Sequence, residues 1–181
     1  MKYLFWVAVL MSSCTRSPNV TRHTAGTYAG VLPIRNGSVY YHRAAAKPGV
    51  TPVMADSRTR AWFRSSGRAL GTVEEKPLRR KSDLLYLASL PARRVPADSS
   101  GEGQTLPPLQ FWVTIDNTGD STRVYATNFE VMDRRGNYQP LEKQTATAQP
   151  MWVSMWLGDV DAAVTTMLES LTARIAQPAD R

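Results

Sequence analysis

The sequence predicts a mainly β, α+β chain: an antiparallel β-sandwich or small barrel followed by a C-terminal amphipathic helix. Two strand–turn units in series after residue 110 indicate an antiparallel meander. After residue 150 the apolar period changes from two residues to about 3.6, which is typical of a helix. A hydrophobic fraction of 43% with five Trp is enough for a core, which excludes a wholly disordered chain.

Three short strand-like segments precede residue 91. Residues 38–43 are rich in β-forming side chains and follow the turn signal Asn36-Gly37. Residues 59–64 form a second segment, which ends at Ser65-Ser66-Gly67. Residues 84–88 fit either a buried strand or a short helical stretch, because periodicity does not distinguish the two over so few residues.

A proline-rich stretch follows these segments. Residues 91–109 contain four prolines, two glycines and two serines, which predicts a long loop or a linker between subdomains. We expect the β-rich domain to extend over residues 31–145, with this loop inside it.

The meander contains the clearest strands. Residues 111–115 alternate, with Phe111, Val113 and Ile115 on one face, and a turn at 116–120 follows. The second strand, residues 123–132, ends at a turn over 133–137. It is predicted to place four side chains on one face: Tyr125, Thr127, Phe129 and Val131. One face of the sheet is expected to be in contact with water.

The segment 150–176 predicts the C-terminal helix, with Pro150 as its first residue. Gly158-Asp159 is a candidate break, at which Asp159 would cap a second helix. Either the helix packs on its own sheet, or residues 151–157 dock on a membrane interface or a partner helix. Apolar side chains recur at helical spacing along one side: Trp152, Trp156, Val160, Val164, Met167, Leu171 and Ile175.

The N-terminus has the layout of a secretory signal. Lys2 precedes an apolar run over residues 3–11, which is shorter than the ~20 residues needed to span a bilayer. Small residues, Ser12 and Ser13, then precede Cys14, which is the one cysteine of the chain. A plain signal peptide with an incidental cysteine is the alternative interpretation.

The sequence Leu10-Met11-Ser12-Ser13-Cys14 resembles the lipobox of bacterial lipoproteins. In that class the cysteine thiol receives a diacylglycerol, a peptidase cuts before the cysteine, and the new amino group is acylated. The resemblance implies a signal peptide at 1–13, a lipidated tether at 14–30 and a membrane anchor of acyl chains. Because Thr15 and not Asp follows the cysteine, it also implies an outer-membrane address facing the periplasm in a Gram-negative host.

Charge is distributed unequally along the chain. Residues 14–100 have a net charge of +10, whereas residues 101–181 have a net charge of −4. The basic side chains are candidates for contact with anionic phospholipid or lipopolysaccharide head groups. The alternatives are a solvated face or pairing with the acidic half. The candidate contact residues are Arg58, Arg60, Arg64, Arg68, Arg79, Arg80 and Lys81.

No catalytic, metal or cofactor site is predicted. His23 and His42 are the only histidines, and neither lies in a recognisable nucleophile motif. With two histidines and one cysteine, a zinc site of three His or two thiolates is excluded. Glu74 and Glu75 are adjacent and would point to opposite faces of a strand, so they are a poor acid/base pair.

We therefore expect a non-enzymatic cell-envelope protein, anchored by lipid, that serves as an assembly or secretion accessory and binds another envelope protein. The alternative is a binding module for an anionic envelope polymer or lipid head groups through the Arg-rich region 58–94. Nucleic acid is not an expected partner. A site assembled from scattered residues around His42 is the enzymatic hypothesis, and it requires a deep polar cleft there.

Overall fold

In the computed structural model, one antiparallel sheet is covered on one face by two helices. The structure describes residues 31–66, 70, 73–76, 83–95, 104–133, 135–143 and 151–178. The strands are β1 (Ile34–Arg35), β2 (Ser38–Val39), β3 (Tyr41–Ala46), β4 (Val73–Lys76), β5 (Asp83–Leu90), β6 (Arg93–Val95), β7 (Gln104–Leu106), β8 (Leu109–Asp116), β9 (Ser121–Met132) and β10 (Tyr138–Pro140). The helices are α1 (Pro52–Ser66) and α2 (Met151–Ala176), with a 3₁₀ turn at Leu141–Lys143.

The main sheet has six strands, and all its pairs are antiparallel. Five of the strands lie in the order β10-β9-β8-β5-β4, and the sixth is β3. Strand β3 pairs with the first half of β9, on the edge where β10 pairs with its second half. This architecture confirms the mainly antiparallel β prediction with a C-terminal helix. The layer that covers the sheet consists of α1 and α2, and the remaining strands form two small hairpins, β1-β2 and β6-β7.

The inner face of the sheet, which lies against the helices, follows the predicted alternation in β8. Phe111, Val113 and Ile115 are buried, and the residues between them are partly exposed. Residues 84–88 lie in β5, where Leu84, Tyr86 and Ala88 point to the same inner face. A buried strand is therefore the correct alternative for that segment.

The predicted face of β9 is wrong in its first half. Val124 and Ala126 are buried there, whereas Tyr125 and Thr127 lie on the opposite, open side. The phase changes at Asn128, which has a positive φ of 52°. The register between β8 and β9 shifts between Gln110 and Trp112, so that one extra residue of β9 is accommodated as a β-bulge. Phe129 and Val131 are buried, as predicted.

The bulge makes Asn128 a testable position. Asn tolerates the left-handed region, whereas a β-branched residue does not. We expect Asn128→Val to lower the free energy of unfolding by about 1–2 kcal/mol, and Asn128→Gly to change it by less than about 0.5 kcal/mol. Urea denaturation of the two variants measures both values. An equal loss in both variants would contradict a backbone origin of the effect.

The prediction of a strand at residues 59–64 is wrong, because this segment lies within α1. Pro52 is the first residue of this helix, and the Thr51 hydroxyl accepts a hydrogen bond from the Met54 N–H at 3.3 Å, as an N-cap does. A window of six residues was too short to show the helical period. That period appears over the whole helix in its buried residues: Ala55, Thr59, Trp62 and Phe63.

Helix α2 is continuous over its 26 residues, so Gly158-Asp159 is not a break. It packs on the sheet, and Pro150 and the Trp152 side chain lie outside the described residues. The part of the chain that the structure describes contains no helix long and apolar enough to cross a membrane. Six predicted core positions are confirmed as buried: Trp156, Val160, Val164, Met167, Leu171 and Ile175.

Aromatic and polar contacts attach both helices to the sheet. Phe63 of α1 stacks on Tyr86 of β5 with ring centroids 3.9 Å apart. The Tyr41 hydroxyl of β3 donates to Asp161 of α2 at 2.8 Å. Burial, together with Asp161, raises the pKa of Tyr41, so this phenol remains a hydrogen-bond donor over the physiological range.

The predicted loop at 91–109 is partly wrong, because β6 and β7 within it pair as antiparallel strands. Residues 96–103 between them lie outside the described part of the chain, as do residues 1–30 with the predicted signal, Cys14 and tether.

Candidate functional site

The face of the main sheet opposite the helices is called the open face below. It carries apolar side chains at its centre, whereas the solvated face of an antiparallel sheet is normally polar. The alternation that buries Phe111 and Val113 turns Trp112 and Thr114 outward. The centre of the open face is formed by Leu85, Leu87, Trp112, Thr114, Tyr125 and Thr127, all of them partly exposed.

The strand register makes these six residues one contiguous band. Tyr125 lies opposite Thr114, which lies opposite Leu85. In the next row Thr127 lies opposite Trp112, which lies opposite Leu87. Directly opposed residues on one face are in side-chain contact range, so the band crosses β9, β8 and β5 without interruption.

Stacked rings extend the band toward β3. The His42 ring stacks on Tyr125 with centroids 5.0 Å apart and an interplanar angle of 24°. The ring centroids of Tyr40 and Tyr125 are 6.2 Å apart, and the Arg35 guanidinium carbon lies 5.0 Å from the Tyr40 ring centroid. This part of the surface presents ring faces and a cation at the edge of the sheet.

Polar pairs mark the two ends of the band. At one end, the Arg123 Nη1 atom lies 3.8 Å from the Asp116 Oδ2 atom. Hydrogen bonds from the Thr118 hydroxyl and N–H, together with Arg123, lower the pKa of Asp116, so this carboxylate stays charged. At the other end, Gln110 donates to Glu130 at 2.7 Å.

An apolar, aromatic centre with a polar rim is the anatomy of a protein–protein contact surface. Trp and Tyr are the side chains that most often dominate binding energy in such surfaces. The sequence pattern does not reveal this site, because it predicts Tyr125 on the same face of the strand as Phe129 and Val131, which are buried. The available signal was Trp112, an indole at the outward position of a strand that alternates clearly.

A second feature is a groove between α1 and α2, with a volume of about 400 Å³. Its polar groups are already engaged: Trp62 donates to Ser170 at 3.0 Å, and Arg174 donates to the Gln177 side chain at 2.7 Å. It is lined by Ala61, Trp62, Ser65, Ser66, Ser170, Ala173, Arg174 and Gln177.

A buried polar cluster supports the turn after β8. The Lys47 side chain is 2% exposed and donates to the carbonyls of Gly119 at 2.7 Å and Val50 at 3.3 Å. Asn117, equally buried, donates to Asp56 of α1 at 2.8 Å and accepts from Thr122 at 2.7 Å. These bonds hold the turn against α1, so the cluster has a structural role.

Of the three candidate basic contact residues that the structure describes, two bond within the chain. Arg58 donates to carbonyls at the end of α2, including that of Ile175 at 3.0 Å, and so caps that helix. Arg60 pairs with Glu75 at 3.2 Å, while Arg64 is exposed on α1. Four of the candidates lie outside the described residues: Arg68, Arg79, Arg80 and Lys81.

Within the described residues, two ion pairs join the basic half of the chain to the acidic half. Arg43 pairs with Glu169 at 3.1 Å, and Arg93 pairs with Asp159, with both acids on α2. Pairing between the two halves, one of the alternatives for the charge asymmetry, therefore occurs at these positions.

Histidine chemistry has little support in the described residues. His42 lies on the open face, and among those residues no side chain forms a hydrogen bond with its imidazole. His23 lies outside them. The described part of the chain also contains no group of three or more His, Cys, Asp or Glu side chains that could hold a metal ion.

No protein-family model and no curated protein matches the sequence. The fold is similar to that of a DUF4468 family protein from Bacteroides ovatus, with a TM-score of 0.62 and 10% identity over 84% of this chain and 94% of that one. It is also similar to a TBP-like protein from Parabacteroides distasonis, with a TM-score of 0.60 and 10% identity over 82% of this chain and 99% of that one. At this identity the likeness shows the fold alone.

Proposed function

We propose that this protein is a lipid-anchored, non-enzymatic cell-envelope protein that binds another envelope protein through the open face of its sheet. The observation that carries the proposal is the continuous band of partly exposed aromatic and aliphatic side chains around Trp112 and Tyr125. Burying this band against a partner would gain hydrophobic free energy that a solvated face forgoes.

The surface is suited to binding a protein. It lies on a regular sheet, so the side chains are held in place by the strands and little ordering is needed on binding. The polar ends, at Asp116 with Arg123 and at Gln110 with Glu130, supply directional contacts that would set the orientation of a partner.

The proposed membrane anchor is supported by the lipobox-like sequence that ends at Cys14. Acylation there, followed by a tether over residues 15–30, would hold the domain close to a membrane surface. In a Gram-negative host the proposed location is the outer membrane, facing the periplasm, where the open face would meet other envelope proteins.

The binding face is tested with a double variant, Trp112→Ala with Tyr125→Ala. We expect affinity capture from detergent-solubilised envelopes to retain a specific protein with the wild type and to lose it with this variant. Removing two aromatic anchors should weaken binding at least about thirtyfold, as measured by titration with the captured protein.

The matched control is Val53→Ala with Met155→Ala, which removes large apolar side chains that are 78% and 66% exposed on the helices. The control should bind like the wild type. Equal binding by all three proteins, or capture of no specific protein by the wild type, would contradict the proposal. A photo-crosslinking residue at Thr114, in the centre of the band, should label the same partner.

The alternative function, contact with an anionic polymer or lipid head groups through region 58–94, has weaker support, because Arg58 and Arg60 bond within the chain. Binding to anionic vesicles that falls steeply between about 50 and 200 mM salt would favour it. Capture by the open face is expected to depend on salt only weakly, because its centre is uncharged.

A further inference from the structure

Among the described residues, the longest edge of the main sheet without a strand partner is at β3, which carries one charged side chain, Arg43. Within the described residues, β3, β10 and β4 each have one side without a strand partner. Strand β4 is short and charged, with Glu74 and Lys76, and β10 has three residues and ends in Pro140. Short length, charge and proline are the ordinary means of protecting an edge. Strand β3 has six residues and ends in three alanines.

The backbone groups on the free side of β3 can be assigned from the register. The Lys47 N–H donates to the Asp120 carbonyl at 2.9 Å, just beyond the ladder in which Tyr41 lies opposite Ala126. Hydrogen-bonded residues alternate in an antiparallel pair, so Tyr41, Arg43 and Ala45 bond to β9. The N–H and C=O groups of His42, Ala44 and Ala46 therefore point away from the sheet, and all three residues are exposed.

We propose that β3 is a self-association edge, at which two copies of this chain pair β3 with β3 in antiparallel orientation about a two-fold axis at Ala44. In this register Ala44 lies opposite its own copy, and His42 lies opposite Ala46. These are the residues with outward-pointing backbone groups, so each such pair exchanges two hydrogen bonds. The sheets of the two copies become one continuous sheet.

The chemistry of β3 favours a second copy over an unrelated strand. In the proposed register Arg43 lies opposite Ala45, so no like charges oppose one another. The Arg43 guanidinium is already paired with Glu169 of its own chain at 3.1 Å. The residue on the axis is alanine, the side chain that meets its own copy with the least steric conflict. A two-fold interface requires such self-complementarity.

Pairing at β3 would also enlarge the open face. His42 stacks on Tyr125 and lies next to the proposed axis, so the aromatic parts of two open faces would adjoin. The self-association edge is independent of the proposed function, since its test needs this protein alone.

The test compares two cysteine variants of the full chain in detergent, each with Cys14→Ala so that one thiol is present. Opposed residues of a hydrogen-bonded pair have Cα atoms about 5.5 Å apart, which suits a disulfide. Ala44→Cys should therefore give a disulfide-linked dimer on mild oxidation. Ala46→Cys, exposed on the same side of the strand, would place its two thiols about 14 Å apart and serves as the control.

We expect at least about tenfold more linked dimer from Ala44→Cys than from Ala46→Cys. Equal yields would show nonspecific contact within micelles and would overturn the proposal, as would no dimer from Ala44→Cys. Sedimentation gives a second measurement: Ala44→Lys should weaken dimerisation about fivefold through like-charge opposition, whereas Ala44→Ser should not. A wild-type monomer that pairs only with an added peptide of another protein would instead assign the edge to a foreign strand.

Discussion

Replacing Cys14 with Ala is expected to abolish the lipid anchor completely. The variant lacks the thiol that would receive the diacylglycerol, so metabolic labelling with a fatty acid should disappear and the product should be uncleaved or soluble. Two or three acyl chains give stable membrane anchoring, and the variant would carry none, so we expect the anchoring to be lost entirely. Labelling and membrane fractionation in a bacterial host measure it.

The control for this experiment is Ser13→Ala. It keeps a small residue directly before the proposed cut, so labelling and cleavage should continue. Persistent labelling of the Cys14→Ala protein would contradict the anchor and leave an ordinary signal peptide as the interpretation. The proposal that the open face binds a partner would not be affected by that result.

Replacing Phe111 with Ala is expected to lower the free energy of unfolding more than any other substitution proposed for this protein. Phe111 is fully buried at the centre of the inner face and stacks on Phe129 with ring centroids 4.9 Å apart. A buried Phe→Ala change costs about 3–5 kcal/mol, because transfer free energy is lost and a cavity remains. Since small domains unfold with about 5–15 kcal/mol, the variant should be only marginally folded. Urea denaturation measures the change.

The adjacent residue supplies the control. Trp112 is also aromatic, but it lies on the open face and is only partly buried. We expect Trp112→Ala to cost about 1 kcal/mol of stability while removing partner binding. If Trp112→Ala destabilised the protein as much as Phe111→Ala, the band on the open face would belong to a covered core and not to a binding surface.

These two neighbouring positions show how one strand contributes both to the core and to the open face. Strand β8 is central in the sheet, with β9 on one side and β5 on the other. Its inward residues are buried in the core, and its outward residues form the middle of the open face. A substitution at an outward position therefore leaves the inward side chains, which form the core, in place.

Regular elements with many residues were predictable. The period of β8 and the apolar spacing from Trp156 to Ile175 were both correct, because burial of one face imposes a repeat that is visible over eight or more residues. Helix α1 is not predictable from residues 59–64 alone, because Trp62-Phe63 fits a strand as well as a helix over that length.

The sequence by itself determined where the strands and turns of the meander lie, and it determined the presence of the C-terminal helix, which extends from Met151 to Ala176. Its N-terminus predicts the lipid anchor. Only the tertiary structure decided which face of each strand is covered. The bulge at Asn128 shifts the alternation of β9 by one residue, and this places Tyr125 on the same face of the sheet as Trp112.

Tertiary structure also decided the roles of the basic side chains. Arg58, Arg60 and Arg43 look alike in the sequence, but their partners differ. Arg58 caps α2, Arg60 pairs with Glu75 of β4, and Arg43 pairs with Glu169 of α2. The physical reason is that contacts between residues distant in the chain depend on packing and register, which local periodicity does not specify. The open face is therefore a product of the fold, although each of its side chains is visible in the sequence.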